Sequence, residues 1–293
     1  MKKSILVLGA MAVSLLMGAC ASTDEIVNHF NNPPERYTTP APGKEAEAAA
    51  LEEKLQATPI SDAKATAAIL LERAKLLEGR CKRLNPGQYG AVATAAAITI
   101  DSVGIVMEDA AYRTGEMGKA FCNVYDKSEA LKVASRKMSE EGLDAAAVVA
   151  SMPEDQLRQI SASGASIFSV LEPKQTVVTL QNIASETVKT IKPIVELIPT
   201  LTKRAADLTA DLTKLMTSMS IQEAMNSESV KAIKAEIACL KAEIEAAQIL
   251  VDYASYIGKS CNYLIQAIHQ TDAIVNAAND AIAATQNAAS NND

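Results

Sequence analysis

From Val230 to Ile282, apolar and small residues recur alternately three and four apart: Val230, Ile233, Ile237, Leu240, Ile244, Ala247, Val251, Ala254, Gly258, Cys261, Ile265, Ile268, Val275 and Ile282, with Asp272 and Asn279 the polar members of the row. Residues so spaced share one helix face, so the row is a heptad seam that requires a long helix with a partner along it. Lys231, Lys234, Glu236, Lys241, Glu243 and Glu245 fall between the seam positions and are expected to keep the other faces wet. No proline interrupts the run, and Asn226-Ser227-Glu228 offers a cap with acid in the first turn. At ~1.5 Å per residue the helix would be roughly 90 Å long.

The same period runs through most of the chain. A short Ala/Glu helix is expected over Glu45 to Ala57, stopped before Pro59. Ser61-Asp62 caps a second helix, whose seam runs Ile60, Ala63, Ala67, Leu70, Ala74, Leu77, Cys81 and Leu84 to a turn at Asn85-Pro86-Gly87. A third seam runs Ala93, Ala96, Ile100, Val103, Met107, Ala110, Thr114, Met117, Phe121, Val124, Ser128, Leu131, Ser135 and Met138, with a kink or break expected at Gly115 and Gly118. Gly142, Pro153, Gly164 and Pro173 divide the next stretch into three short helices, Leu143–Ser151, Glu154–Ser163 and Ala165–Leu171, which would cover one end of a bundle. From Val177 to Met219 a seam keeps register across Pro193 and Pro199, which predicts one bent helix rather than two. The expected fold is therefore all-α: an elongated antiparallel bundle of long coiled-coil-like helices with a small helical cap, and no sheet.

Packing in such a bundle falls to aliphatic residues, because the 293-residue chain has three Phe and no Trp. Ala-rich seams bring helices close together and leave little room for a ligand channel. A net charge of -7 without a basic stretch excludes nucleic acid as a partner. The two histidines, His29 and His269, stand in different contexts and are expected to be solvated; no zinc site or Ser-His-Asp arrangement can be assembled from them. Gly104, Gly115 and Gly118 match no phosphate loop. The adjacent pairs Glu52-Glu53 and Glu140-Glu141 point about 100° apart on a helix and cannot act as paired carboxylates. No catalytic residue, cofactor or metal is expected, and the reading is of a protein that is not an enzyme.

The N-terminus has a basic start, Met1-Lys2-Lys3, an uncharged run from Ser4 to Gly18, and small residues before Cys20, the pattern of a secretory signal peptide. Its end, Met17-Gly18-Ala19-Cys20, resembles the lipobox of bacterial lipoproteins, with Met in the position more often held by Leu. The resemblance covers twenty residues and implies that Cys20 is acylated, as with palmitate, and becomes the mature N-terminus. Ala21 in place of Asp is similar to lipoproteins sent to the outer membrane. Two or more fatty chains would make that anchor lasting.

The expected organisation is then a signal peptide (1–19), a lipidated Cys20 with a Pro-rich tether (20–44, carrying Pro33, Pro34, Pro40 and Pro42), an N-terminal helical hairpin (45–140), the cap (141–173) and a C-terminal long hairpin (174–293). Ala91 to Ile100 is the most apolar mature stretch, and with Asp101 and Glu108 nearby it falls short of the ~20 residues that span a bilayer. Cys81, Cys122, Cys239 and Cys261 remain as candidates for disulfides. Cys239 and Cys261, 22 residues apart on one helix, would be ~33 Å apart. Disulfide Cα atoms lie within about 7 Å, so any bridge to either should run to Cys81 or Cys122.

These features point to a helical cell-envelope protein, held to the membrane by its N-terminal lipid and facing the periplasm or the cell surface, with a scaffolding or partner-binding role and a protein partner in the envelope. An α-helical pore-former or membrane-remodelling protein, and a carrier of a small apolar ligand, are the competing expectations.

Overall fold

The structure, a computed structural model, describes residues 23–34, 39–59, 62, 65, 68–69, 72–73, 75–78 and 90–290. The residues read as a signal sequence, Cys20, Cys81, and Asn85-Pro86-Gly87, read as a turn, lie outside the described residues. The chain is an all-α bundle. Its helices are α1 (Thr23–Asn31), α2 (Glu45–Ala57), α3 (Ala91–Tyr125), α4 (Glu129–Glu141), α5 (Ala145–Ala150), α6 (Glu154–Val170), α7 (Pro173–Thr217), α8 (Ile221–Asn226) and α9 (Glu228–Ser290). Among the described residues the only extended pairing joins β1 (Thr39–Pro40) to β2 (Leu77–Glu78), antiparallel, with Ala41 N donating to Leu76 O at 2.8 Å. This corrects the second expected helix, whose seam was read through Leu77 to Leu84. Ala65, Ala68, Ile69, Glu72 and Arg73 are helical, but the chain turns at Lys75-Leu76 and is extended by Leu77.

Local chemistry sets most boundaries. Ser128 caps α4 by accepting from Leu131 N, and Gly142 ends it in the left-handed region at φ 68°. Asp144 caps α5, accepting from Ala147 N at 2.7 Å. Ser220 and Glu223 form a reciprocal capping box on α8. Ser227 accepts from Val230 N at 3.3 Å, the expected cap of α9. Pro193 and Pro199 lie on the exposed face of an uninterrupted α7, while Leu180, Ala184, Ile191, Ile194, Leu201, Ala205 and Leu208 stay buried in register on both sides of them.

Two breaks differ from expectation. The third seam does not break at Gly115 or Gly118; α3 runs to Tyr125, and the chain turns over Asp126–Ser128 before α4 resumes the seam at Leu131 and Ser135. The Ser128 cap outweighs the modest cost of two helical glycines. Likewise Gly164 does not divide the cap, since α6 passes through it. A side chain at Gly164 would collide with Val275 of α9, so glycine there permits close approach rather than a break.

The chain divides into two compact units. The first comprises Glu186–Ser255 and the described part of Pro34–Ala111; the second comprises Tyr112–Ser185 and the described parts of Ala12–Pro33 and Tyr256–Asp293. In the first, Ala93, Ala96, Ile100 and Met107 of α3, Ile191, Ile194 and Leu201 of α7, and Leu240, Ala247 and Leu250 of α9 make the core. In the second, α4 packs on α5, α6 and α1, with Leu131, Val148, Leu157, Ile160 and Ile167 inside. Leu143, at the foot of the cap, is exposed.

α9 buries more than its expected seam. A second row, Cys239, Glu243, Ala246, Leu250, Tyr253, Ile257, Ser260, Leu264, Ala267, Thr271, Ile274 and Ala278, is buried throughout, also at alternating three- and four-residue steps. Two buried rows make a broad stripe, as needed by a helix with neighbours on two sides. Each fully buried Leu or Ile contributes about 1.5–3 kcal/mol. Glu243, read as solvated, is 1% exposed.

Candidate functional site

Of the sequence-predicted site residues, Cys122 and Cys261 are buried free thiols rather than bridge members. Burial, with Asp126 nearby, raises the Cys122 thiol to about 11, and burial alone raises Cys261 to about 12. Neither forms thiolate near neutral pH, so both act as small core hydrophobes. Cys239 is fully buried on α9, which continues unbroken to Cys261, so the exclusion of a Cys239–Cys261 bridge stands.

The segment read as a tether takes part in the densest aromatic cluster among the described residues. α1 buries Ile26, 3% exposed, and Phe30, 2% exposed. Phe30 seats where α3 carries Gly118, and any Cβ at that position would overlap the ring. One residue earlier, His29 stacks on Tyr256 of α9 with centroids 4.4 Å apart, and meets Tyr263 edge-on at 5.1 Å. Ser260 Oγ donates to the Tyr256 carbonyl at 2.9 Å. His29 Nε2 is therefore the donor in its 2.8 Å bond to Ser260 Oγ, which selects the neutral Nε2–H tautomer. Tyr263 OH donates to Glu25 Oε1 at 2.6 Å and closes the far side of α1.

His29 is thus a half-buried docking residue, correcting the expectation of a solvated linker histidine; His269 is exposed as expected. Burial first, and then the charge of Lys259, hold its pKa down to about 4, against smaller opposing effects of the Tyr256 carbonyl and Glu25. Ser260 and His29 do meet, which spacing could not show. Ser260 is fully buried, and its hydroxyl proton is committed to a helix carbonyl, so the pair is built for docking and not for nucleophilic attack.

A second polar cluster lies in the first unit. Arg73 bonds Glu52 of α2 through Nε at 3.1 Å and Glu108 of α3 through Nη2 at 3.0 Å, with Arg73 and Glu108 both buried. Glu52, discounted as half of an adjacent pair, instead shares a guanidinium with a carboxylate 56 positions away in sequence. Among the described residues no group of three or more His, Cys, Asp or Glu is placed to hold a metal.

α3 also corrects the reading of its apolar stretch: by length and composition it is able to cross a membrane. Half of its apolar window is buried against the rest of the protein, and Asp101 and Glu108 are buried with it. A core helix meets the same test.

Comparison with family models, with curated proteins and with solved structures finds no match for this chain.

Proposed function

We propose that this is a lipid-anchored helical protein of the bacterial cell envelope, held at the membrane through Cys20, that scaffolds or binds another envelope component. The observation carrying the reading is the junction of anchor and body. Three residues after the lipobox cysteine, the chain enters α1, which docks through Ile26, Phe30 and His29. A folded body beginning this close to the acylation position suits a protein carried on the bilayer surface. The partner-binding side is supported by α8, where Ile221 is 84% and Met225 73% exposed. Flexible thioethers beside an exposed isoleucine suit an adaptable contact. Replacing Cys20 by Ser tests the anchor: the variant leaves the membrane fraction, and retention of a signal-cleaved, unacylated chain would refute it.

The apolar length of α3 favours a second reading, a protein that inserts that helix into a bilayer. It would require Asp101 and Glu108 to leave buried positions and Glu108 to leave Arg73. Dye release from anionic liposomes decides between them, since a scaffold releases none.

A further inference from the structure

We infer that α1 is an acid-released latch, docked on α9 and α3 when the His29 ring is neutral and freed from them when it is protonated. Protonation would put a charge on a ring that is half-buried among Phe30, Tyr256 and Tyr263. It lies flat on Tyr256, its Nε2–H is spent on Ser260, and the ammonium of Lys259 belongs to the same face of α9. Of the elements packed on α1, α9 contributes Lys259, Tyr256 and Tyr263 around the ring, and α3 contributes the uncharged Gly118 under the neighbouring Phe30. α4 also packs on α1 but contributes none of the charges acting on the ring. The opposing carboxylate is Glu25, on α1 itself, and its oxygen already accepts from Tyr263.

The sign follows from proton binding. A free α1 takes up a proton near 6.5 and the docked ring only near 4, so between those values the undocked state binds more protons and acid favours release. At about pH 5 the full shift corresponds to roughly thirtyfold, and partial solvent screening brings this to about tenfold. α1 is suited to such a change. Nine residues do not hold a helix alone, so release from the docking surface also melts it. The consequence for reach rests on the lipid-anchor reading. Docked, α1 starts three residues from Cys20; released, residues 20–31 extend to on the order of 40 Å between membrane and body.

Hydrogen exchange of the full chain in detergent micelles, corrected for intrinsic rates, tests the latch. Amides 23–31 should lose about tenfold in protection between about pH 7 and about pH 5, while amides 240–268 of α9 keep theirs. His29→Gln, neutral throughout, should abolish that dependence; His269→Gln should leave it intact. His29→Lys should release α1 at neutral pH. Histidine-labelled NMR of the wild-type chain stays decisive if a variant fails to dock, because docked His29 must titrate well below the ordinary histidine value of 6.5. Flat protection of α1, equal loss in His29→Gln, simultaneous opening of α9, or a His29 titration at or above 6.5 would each overturn it. None of these readouts depends on acylation, which the fractionation of Cys20→Ser decides separately.

Discussion

The ring of Phe30 fills the notch left by Gly118, so one missing methyl on α3 sets how closely α1 can lie. Gly118→Ala must push Phe30 aside, and the overlap includes the ring carbon nearest the backbone, which turning the ring about its own axis does not move. The expected loss is about 1–3 kcal/mol, as for overpacking elsewhere. Gly115→Ala meets nothing within 4 Å and should gain up to about 1 kcal/mol from helix propensity. Urea unfolding of the two variants gives opposite signs; equal effects would mean that Phe30 does not occupy the notch.

A parallel contrast exists on α9 and the cap. Gly164→Ala collides with the branched Val275 and should destabilise, whereas Gly258→Ala enters open space and should be neutral or stabilising. Gly164→Ala combined with Val275→Ala should recover most of the loss. Thermal melts of the single and double variants measure the coupling.

Arg73 bridges two carboxylates in a site where it and Glu108 are buried. Arg73→Met takes the guanidinium away from both carboxylates, one of them buried, at an expected cost of about 3–5 kcal/mol. The triple variant Arg73→Met, Glu52→Leu, Glu108→Leu removes the stranded charges along with the pair. It should approach wild-type stability in urea titration, because the arrangement mainly avoids a penalty.

Cys122 and Cys261 should resist alkylation in the folded chain and react on denaturation, since burial holds both thiols protonated. Non-reducing peptide mapping should find neither in a bridge. A peptide linking Cys239 to Cys261 would refute the continuity of α9.

Ile221→Ser with Met225→Ser should leave the unfolding midpoint within about 0.5 kcal/mol of wild type, because both side chains are exposed in the chain alone. Ala224→Asp, one position before Met225 but buried, should destabilise clearly. Loss of stability or a change in sedimentation in the double variant would show that the exposed pair is covered by a second copy.

Periodicity by itself determined the helical class, the long α3, α7 and α9, the short α2 and the Ser227 cap, because apolar residues at helical spacing must share a face whatever they pack against. It located one seam of α9 and missed the other. The second row contains Glu243, Ser260 and Thr271, which break an apolar pattern yet are buried in the tertiary structure. The turn at Asp126–Ser128 was legible in principle, since Ser128 followed by Glu129 is a cap with first-turn acid, but two glycines nearby drew the break to the wrong place. α1 was not legible at all. Its nine residues carry two large apolar side chains and a histidine, too little to form a helix in isolation. Only the notch at Gly118 and the Tyr256–Ser260–Tyr263 face of α9, more than eighty and two hundred residues away in sequence, supply the burial that orders it and lower the basicity of its histidine. Local spacing encodes which faces are apolar; it does not encode which distant surface will meet them.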